Sequence, residues 1–332
     1  MLTKQIKSRL ARTHKNWAKS IDDKNVRELV EKNCFISGGA IVSLLGNEEP
    51  NDYDIYFKDF ETCKAVASYY VDRWNKHHDT YASVDLPALE KQRVKVMIRS
   101  KGIAEDTEGM SQDEINRRGL GLQPKDEKKK PKDEKKFRPV FLSSNAITLS
   151  DGVQLIMRFH GSPEEVHQNF DFVHCQAYWE PNGVAYWTGG SLLNTGKLTL
   201  PAETLTSIMT KELRYSGSKY PIASILRMRK FIARGYTINA GQVLKMIFQV
   251  NKLDLNDPLV LEDQLTGVDL TYMNMLIDTV HSKRLEDPTF NFDSNWLITV
   301  VEKIFDNENE EDAENQMNTP REDDEDGEYN EQ

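Results

Sequence analysis

No run of about 18 apolar residues occurs in the 332-residue sequence, which excludes a helix able to cross a membrane. Cysteine is scarce. Cys34, Cys63 and Cys175 are odd in number and widely spaced, so they make neither a disulfide framework nor a zinc site. They fit a reducing compartment, a bacterial or host cytosol. The basic N-terminal stretch "MLTKQIKSRLARTHKNW" lacks an apolar core and reads as a surface helix rather than a secretory signal. The phosphate-loop pattern is missing, as is any Ser/His/Asp or Cys/His arrangement of a nucleophile. His77-His78 lack partners at metal-ligand spacing.

Apolar residues are also nearly missing from residues 306–332, "DNENEEDAENQMNTPREDDEDGEYNEQ". This segment reads as a disordered acidic tail. It holds 13 acidic residues and one arginine, a balance of -12. The other 305 residues hold 42 basic and 40 acidic residues, a balance of +2. The formal net charge of -10 therefore describes the tail, and the remainder is close to neutral. A second polar segment, about 101–138, carries "PKDEKK" twice, at 124–129 and 131–136. It reads as a solvated, low-complexity insertion.

Between these segments the pattern is that of an α/β (α+β) chain. Residues 1–32 read as one or two helices. A strand at 34–37 runs into Gly38-Gly39 and a short helix at 40–45. "DYDIYF" is the second strand, and an amphipathic helix follows it. "VKVMIRS", "VFLSSNAITLS", "VQLIMRF", "DFVHCQAYW" and "VAYWTGG" read as further strands. Ser162-Pro163 followed by acids is a helix-start signal. Tyr178, Trp179, Tyr186 and Trp187 read as sheet-core or hairpin residues. Helical spacing takes over at 201–214, 220–235, 239–251, 269–283 and 293–305. The expected organisation is a helical segment at 1–32, a mixed-sheet domain at 33–199 with the insertion, a helical domain at 200–305, and the tail.

The chemistry concentrates in "FISGGAIVSLLGNEEPNDYDIYF", Phe35 to Phe57. Residues two apart on a strand share a face, so Asp52 and Asp54 point the same way, about 6–7 Å apart. A divalent ion relieves their repulsion, and hard carboxylate oxygens suit Mg²⁺ or Mn²⁺. Gly38 and Gly39 lack side chains, so the backbone N–H groups at that turn can approach a phosphate. A metal clamp beside a phosphate cradle is equipment for phosphoryl or nucleotidyl transfer from an NTP. A two-metal site asks for a third carboxylate, and Asp171, at the start of an expected strand and flanked by phenylalanines, is the candidate.

These residues resemble a known family. Gly38-Gly39, a 12-residue spacer and Asp52-Tyr53-Asp54 are similar to the signature of the DNA polymerase β-like nucleotidyltransferase superfamily. Within it the stretch resembles the class II CCA-adding enzyme and bacterial poly(A) polymerase branch. "FLSSNAITL" shares an Asn-Ala core, Asn145-Ala146, with that branch, and "YPIASILRMRKFIARGYTI" looks like its neck motif. The branch has Arg-Asp pairs where this chain has Val42-Ser43 and Leu142-Ser143-Ser144. A divergent, phage- or virus-borne member fits this pattern. The resemblance implies a nucleotidyltransferase-type sheet domain followed by helices, and Asn145 as a nucleotide-binding residue.

The 220–235 helix places Arg227, Lys230 and Arg234 at i, i+3, i+7, a basic stripe beside an expected apolar face of Ile222, Ile225, Leu226 and Ile232. Arg227, Lys230 and Lys219 are candidate phosphate contacts. The expected activity is metal-dependent transfer of a nucleotide to an acceptor hydroxyl, an RNA or tRNA 3′ end. The alternatives are a protein or small-molecule acceptor, and a catalytically inactive fold used as a binding or virion protein.

Overall fold

The computed structural model of the chain describes residues 2–78, 80–87, 93–99, 136–181, 186–188, 191–193 and 195–255, with positions 260, 264, 298 and 299. The repeats of the charged insertion except Lys136, all but two residues of the expected helices at 269–283 and 293–305, and the acidic tail lie outside the described residues. The chain divides into two compact units, Met1–Ser216 and Gly217–Gln332.

The first unit is built on a seven-stranded mixed sheet. Its members are β1 (Cys34–Ser37), β2 (Tyr53–Phe57), β5 (Pro139–Leu142), β6 (Ala146–Leu149), β7 (Val153–His160), β8 (Tyr178–Glu180) and β11 (Lys197–Thr199). Their order across the sheet is β11-β8-β1-β2-β7-β6-β5. β1 is antiparallel to β2 and to β8, whereas β2 and β7 run parallel. β3 (Tyr81–Asp85) with β4 (Lys95–Arg99), and β9 (Tyr186–Thr188) with β10 (Ser191–Leu193), form separate antiparallel pairs. The mixed α/β class expected from the sequence is the class observed.

One face of the sheet carries the main core. Ile36, Ile55, Phe57, Leu155, Met157 and Trp179 bury against α1 (Thr3–Ser20), α2 (Lys24–Lys32), α3 (Gly39–Leu45) and α4 (Phe60–His77). α1 contributes Ile6, Leu10 and Trp17, and the Trp17 indole donates to the Tyr70 hydroxyl of α4 at 2.9 Å. Capping fixes the helix starts. Asp23 accepts from the backbone N–H groups of Asn25 and Val26, and Asp59 accepts from that of Thr62. Ser162 and Glu165 form a capping box for the short α5 (Pro163–His167). The opposite face is covered at one end by a smaller cluster of Phe35, Tyr56, Val166 and Tyr178. α6 (Ala202–Thr210) belongs to this unit too, with Thr204 donating to the Val173 carbonyl at 2.9 Å. No helix among the described residues is long and apolar enough to cross a membrane.

Two strand expectations are corrected. "VFLSSNAITLS" is not one strand but the β5–β6 hairpin, because Ser143 turns the chain: its hydroxyl accepts from the N–H of Ala146 and donates to its carbonyl. "DFVHCQAYW" begins with a 3-10 turn at Val173–Cys175, and the strand starts at Tyr178. Of the expected insertion, residues 136–138 are described. Phe137 is buried, and its N–H donates to Asp151 at 3.0 Å, so this end belongs to the sheet edge.

The second unit contains α7 (Pro221–Ala233) and α8 (Ala240–Val250). The expected apolar face of α7 is corrected as well. Ile225 and Ile232 are exposed, while Ala223 and Ser224 are buried. Ile222 and Leu226 of the same expected face are half-buried.

Candidate active site

β1 ends at Ser37, and the chain turns through Gly38 into α3. Gly38 has φ +89° and ψ -149°, a region essentially restricted to glycine. The register sets Ser37 opposite Asp54 on β2. A Cβ added to Gly38 would lie 3.1 Å from Asp54 Oδ2, so the carboxylate rests against the turn where the side chain is missing. Gly39, the first residue of α3, has open space where its side chain would be. The glycine turn and the second carboxylate of the Asp52-Tyr53-Asp54 triplet are thus brought together.

Asp54 also belongs to a row that crosses the sheet. Directly paired residues point to the same face. The pairings Tyr178–Ser37, Ser37–Asp54, Asp54–Gln154 and Gln154–Thr148 put these five side chains in one line across β8, β1, β2, β7 and β6. Tyr178 and Ser37 are buried, whereas Asp54, Gln154 and Thr148 are half-buried. The row therefore opens toward solvent at Asp54.

The closed end of the row is a hydrogen-bonded joint. Ser37 donates its one hydroxyl proton to the Ala177 carbonyl at 2.8 Å, so His167 Nε2, at 2.8 Å, donates to Ser37. This fixes the neutral imidazole with its proton on Nε2. Burial among Phe35, Phe170 and Tyr178 pushes the His167 pKa down to about 4, with Glu164 opposing. Ser37 is fully buried and serves as a structural link rather than a nucleophile.

Asp52 sits just before β2 and is exposed. Its neighbours are held from two sides. The Tyr53 N–H donates to the Gly152 carbonyl at 2.8 Å, which ties the β6–β7 turn to this point. From α1, Arg9 donates through Nε to the Tyr53 hydroxyl at 2.9 Å and also pairs with Glu49. The loop leading to the carboxylates is thereby anchored to α1.

The other candidates lie elsewhere. Asp171 is in the turn before the 3-10 segment, and its carbonyl accepts from the Ser216 N–H at 2.8 Å. Among the described residues, no group of three or more His, Cys, Asp or Glu is placed to hold a metal. Asn145 lies in the β5–β6 turn, where its side chain accepts from Arg93 at 3.3 Å. The register places it two strands over from Asp54 and about 10 Å further along the strands. Lys219, Arg227 and Lys230 are in the second unit. Sequence reasoning missed Gln154, Ser37, His167 and Arg9. The alternation in "VQLIMRF" marks Gln154 as polar-face, but its neighbour across the sheet is a property of topology.

Solved structures similar to the chain include the Thermotoga maritima CCA-adding enzyme complexed with tRNA. The identity is 11% and the TM-score 0.36, over 85% of this chain and 57% of that one. A tRNA-processing enzyme with CTP matches at 14% identity and a TM-score of 0.35, over 89% and 74%. At these scores the likeness carries no argument about activity. A protein of Bacillus phage SPbetaL7, "Gabija anti-defense 2", is 22% identical over 284 residues, 85% of this chain. The chain spans about half the length of that curated relative. A family profile described as Gabija anti-defense 2 family protein matches residues 8–211, more than half of the sequence, and the chain belongs to that family.

Proposed function

We propose that the chain is a nucleotidyltransferase that moves a nucleotide from an NTP to an acceptor hydroxyl, that of an RNA 3′ end. The observation that carries this reading is the placement of Asp54 against the Gly38 turn, with open space at Gly39. Asp52 and Asp54 fit one Mg²⁺ or Mn²⁺, since such an ion takes one or two carboxylates and completes its shell with water and phosphate oxygens. When bound, the ion offsets the charge of the triphosphate. Backbone N–H groups at Gly38-Gly39 orient the phosphates, and Gly39 leaves room for them. In the reaction the acceptor hydroxyl loses its proton and its oxygen bonds the α-phosphorus. The bond from that phosphorus to the β-phosphate breaks, and pyrophosphate leaves.

The residues fit one ion better than two. Asp54's direct neighbour on β7 is Gln154, an uncharged amide rather than a further carboxylate. This observation favours a second reading, a catalytically inert fold that works by binding. Family membership supports a role in countering a host defense from within the host cytosol. In the first reading that role is exercised through transfer to RNA or to a protein, and in the second through binding alone.

The test is incubation of the full chain with each labelled NTP, Mg²⁺ and total RNA. Label in RNA from one NTP supports the reading. Label in protein moves the acceptor, and no label with any NTP supports the inert fold.

A further inference from the structure

α1 carries six cations, Lys4, Lys7, Arg9, Arg12, Lys15 and Lys19, and no acid. Arg9 is turned to Glu49 and Tyr53. Lys4, Arg12, Lys15 and Lys19, with Ser8 among them, are exposed. Their spacing of three and four residues lines them along one face for about 22 Å. Among the described residues, no carboxylate forms an ion pair with any of these four cations. Beside Lys19 lies a cleft of about 530 Å³ lined by Thr13, Asn16, Lys19 and Ser20 of α1, by Lys136 and Phe137, and by Tyr53, whose side chain is on the sheet face opposite that of Asp54. Asp151 also lines it, with its carboxylate engaged by the Phe137 N–H and the Ser150 hydroxyl.

The character of this face narrows its partner. The apolar side of α1 is spent on the core through Ile6, Leu10 and Trp17, which excludes insertion of the helix into a membrane surface. The stripe has no aromatic or aliphatic anchor of the kind that carries a protein–protein interface. A regular row of cations separated by one helical turn suits a polymer of regularly repeated negative charge. We infer that the α1 stripe and its cleft bind the phosphate backbone of the acceptor RNA. This rests on the RNA-acceptor reading.

The experiment measures binding of a labelled RNA hairpin with a single-stranded 3′ end to the full chain, between about 50 and 200 mM salt. Each phosphate contact contributes about 0.9 to the slope of log affinity against log salt. Replacing Lys4, Arg12, Lys15 and Lys19 with Gln should lower the slope by about 3 to 4. Over this range the wild type should lose about 100-fold more affinity than the variant. Lys4→Arg, Lys15→Arg and Lys19→Arg together should keep the slope, since charge is kept. If the fourfold variant does not fold, Arg12→Gln with Lys15→Gln should lower the slope by about 2. RNA binding with an unchanged slope overturns the stripe and leaves the RNA acceptor standing. Absence of RNA binding in a wild type that labels protein overturns both.

Discussion

Gly38 and Gly39 are adjacent and chemically identical, yet their environments ask different things of them. Gly38 takes a backbone conformation that side chains rarely adopt, with Asp54 Oδ2 in the way of a Cβ. Gly38→Ala should therefore cost roughly 1–3 kcal/mol in denaturant unfolding and should displace Asp54. Gly39 begins a helix and faces open space. Gly39→Ala should leave stability within about 1 kcal/mol, because alanine suits a helix better than glycine. Transfer should nevertheless fall, since the methyl group occupies the space assigned to phosphate. An active Gly39→Ala variant would remove the phosphate cradle from the account. The glycine pair and the two aspartates could be read from sequence because their conformational and charge demands are local. That Asp54 rests on Gly38, and that Gln154 flanks it, could not, because those contacts arise from pairing between distant strands.

α5 is a single capped turn whose grip on the sheet runs through His167 and Ser37. The ring is held neutral, with its pKa lowered by burial to about 4 from 6.5. The unfolded chain therefore binds more protons than the folded one between these values. Stability from this joint is full above pH 6.5 and is lost as the pH falls toward 4. Over that window the wild type should lose roughly 2 kcal/mol more than His167→Gln in urea titrations. Parallel losses would mean that the ring is solvated. His14, also buried and also shifted down, adds a loss of the same sign in both proteins. The Ser162 cap, which starts α5, was legible from its Ser-Pro-acid pattern. The β5–β6 turn was not, because "SSNA" between apolar runs continues a strand pattern until Ser143 bonds to Ala146.

The whole chain carries -10, of which residues 306–332 supply -12. Charge of this size repels a polyanion over about a Debye length, about 10 Å at 0.1 M salt. Truncation after Phe305 should tighten RNA binding at about 50 mM salt and change it little at about 200 mM. Equal affinities at both salts would reduce the tail to a solubilising segment. Composition alone shows this division of charge. Which strands meet in the seven-stranded sheet is a product of the whole first unit, and the parallel β2–β7 pairing left no local mark.

The central claim is that Asp52 and Asp54 beside the glycine turn perform nucleotidyl transfer. The direct measurement is incorporation of labelled nucleotide by the wild type, Asp52→Ala and Asp54→Ala, each first shown to keep the wild-type thermal midpoint within about 5 °C. The account predicts incorporation by the wild type and a loss of at least about 100-fold in each folded variant. Undiminished incorporation by both variants would contradict it.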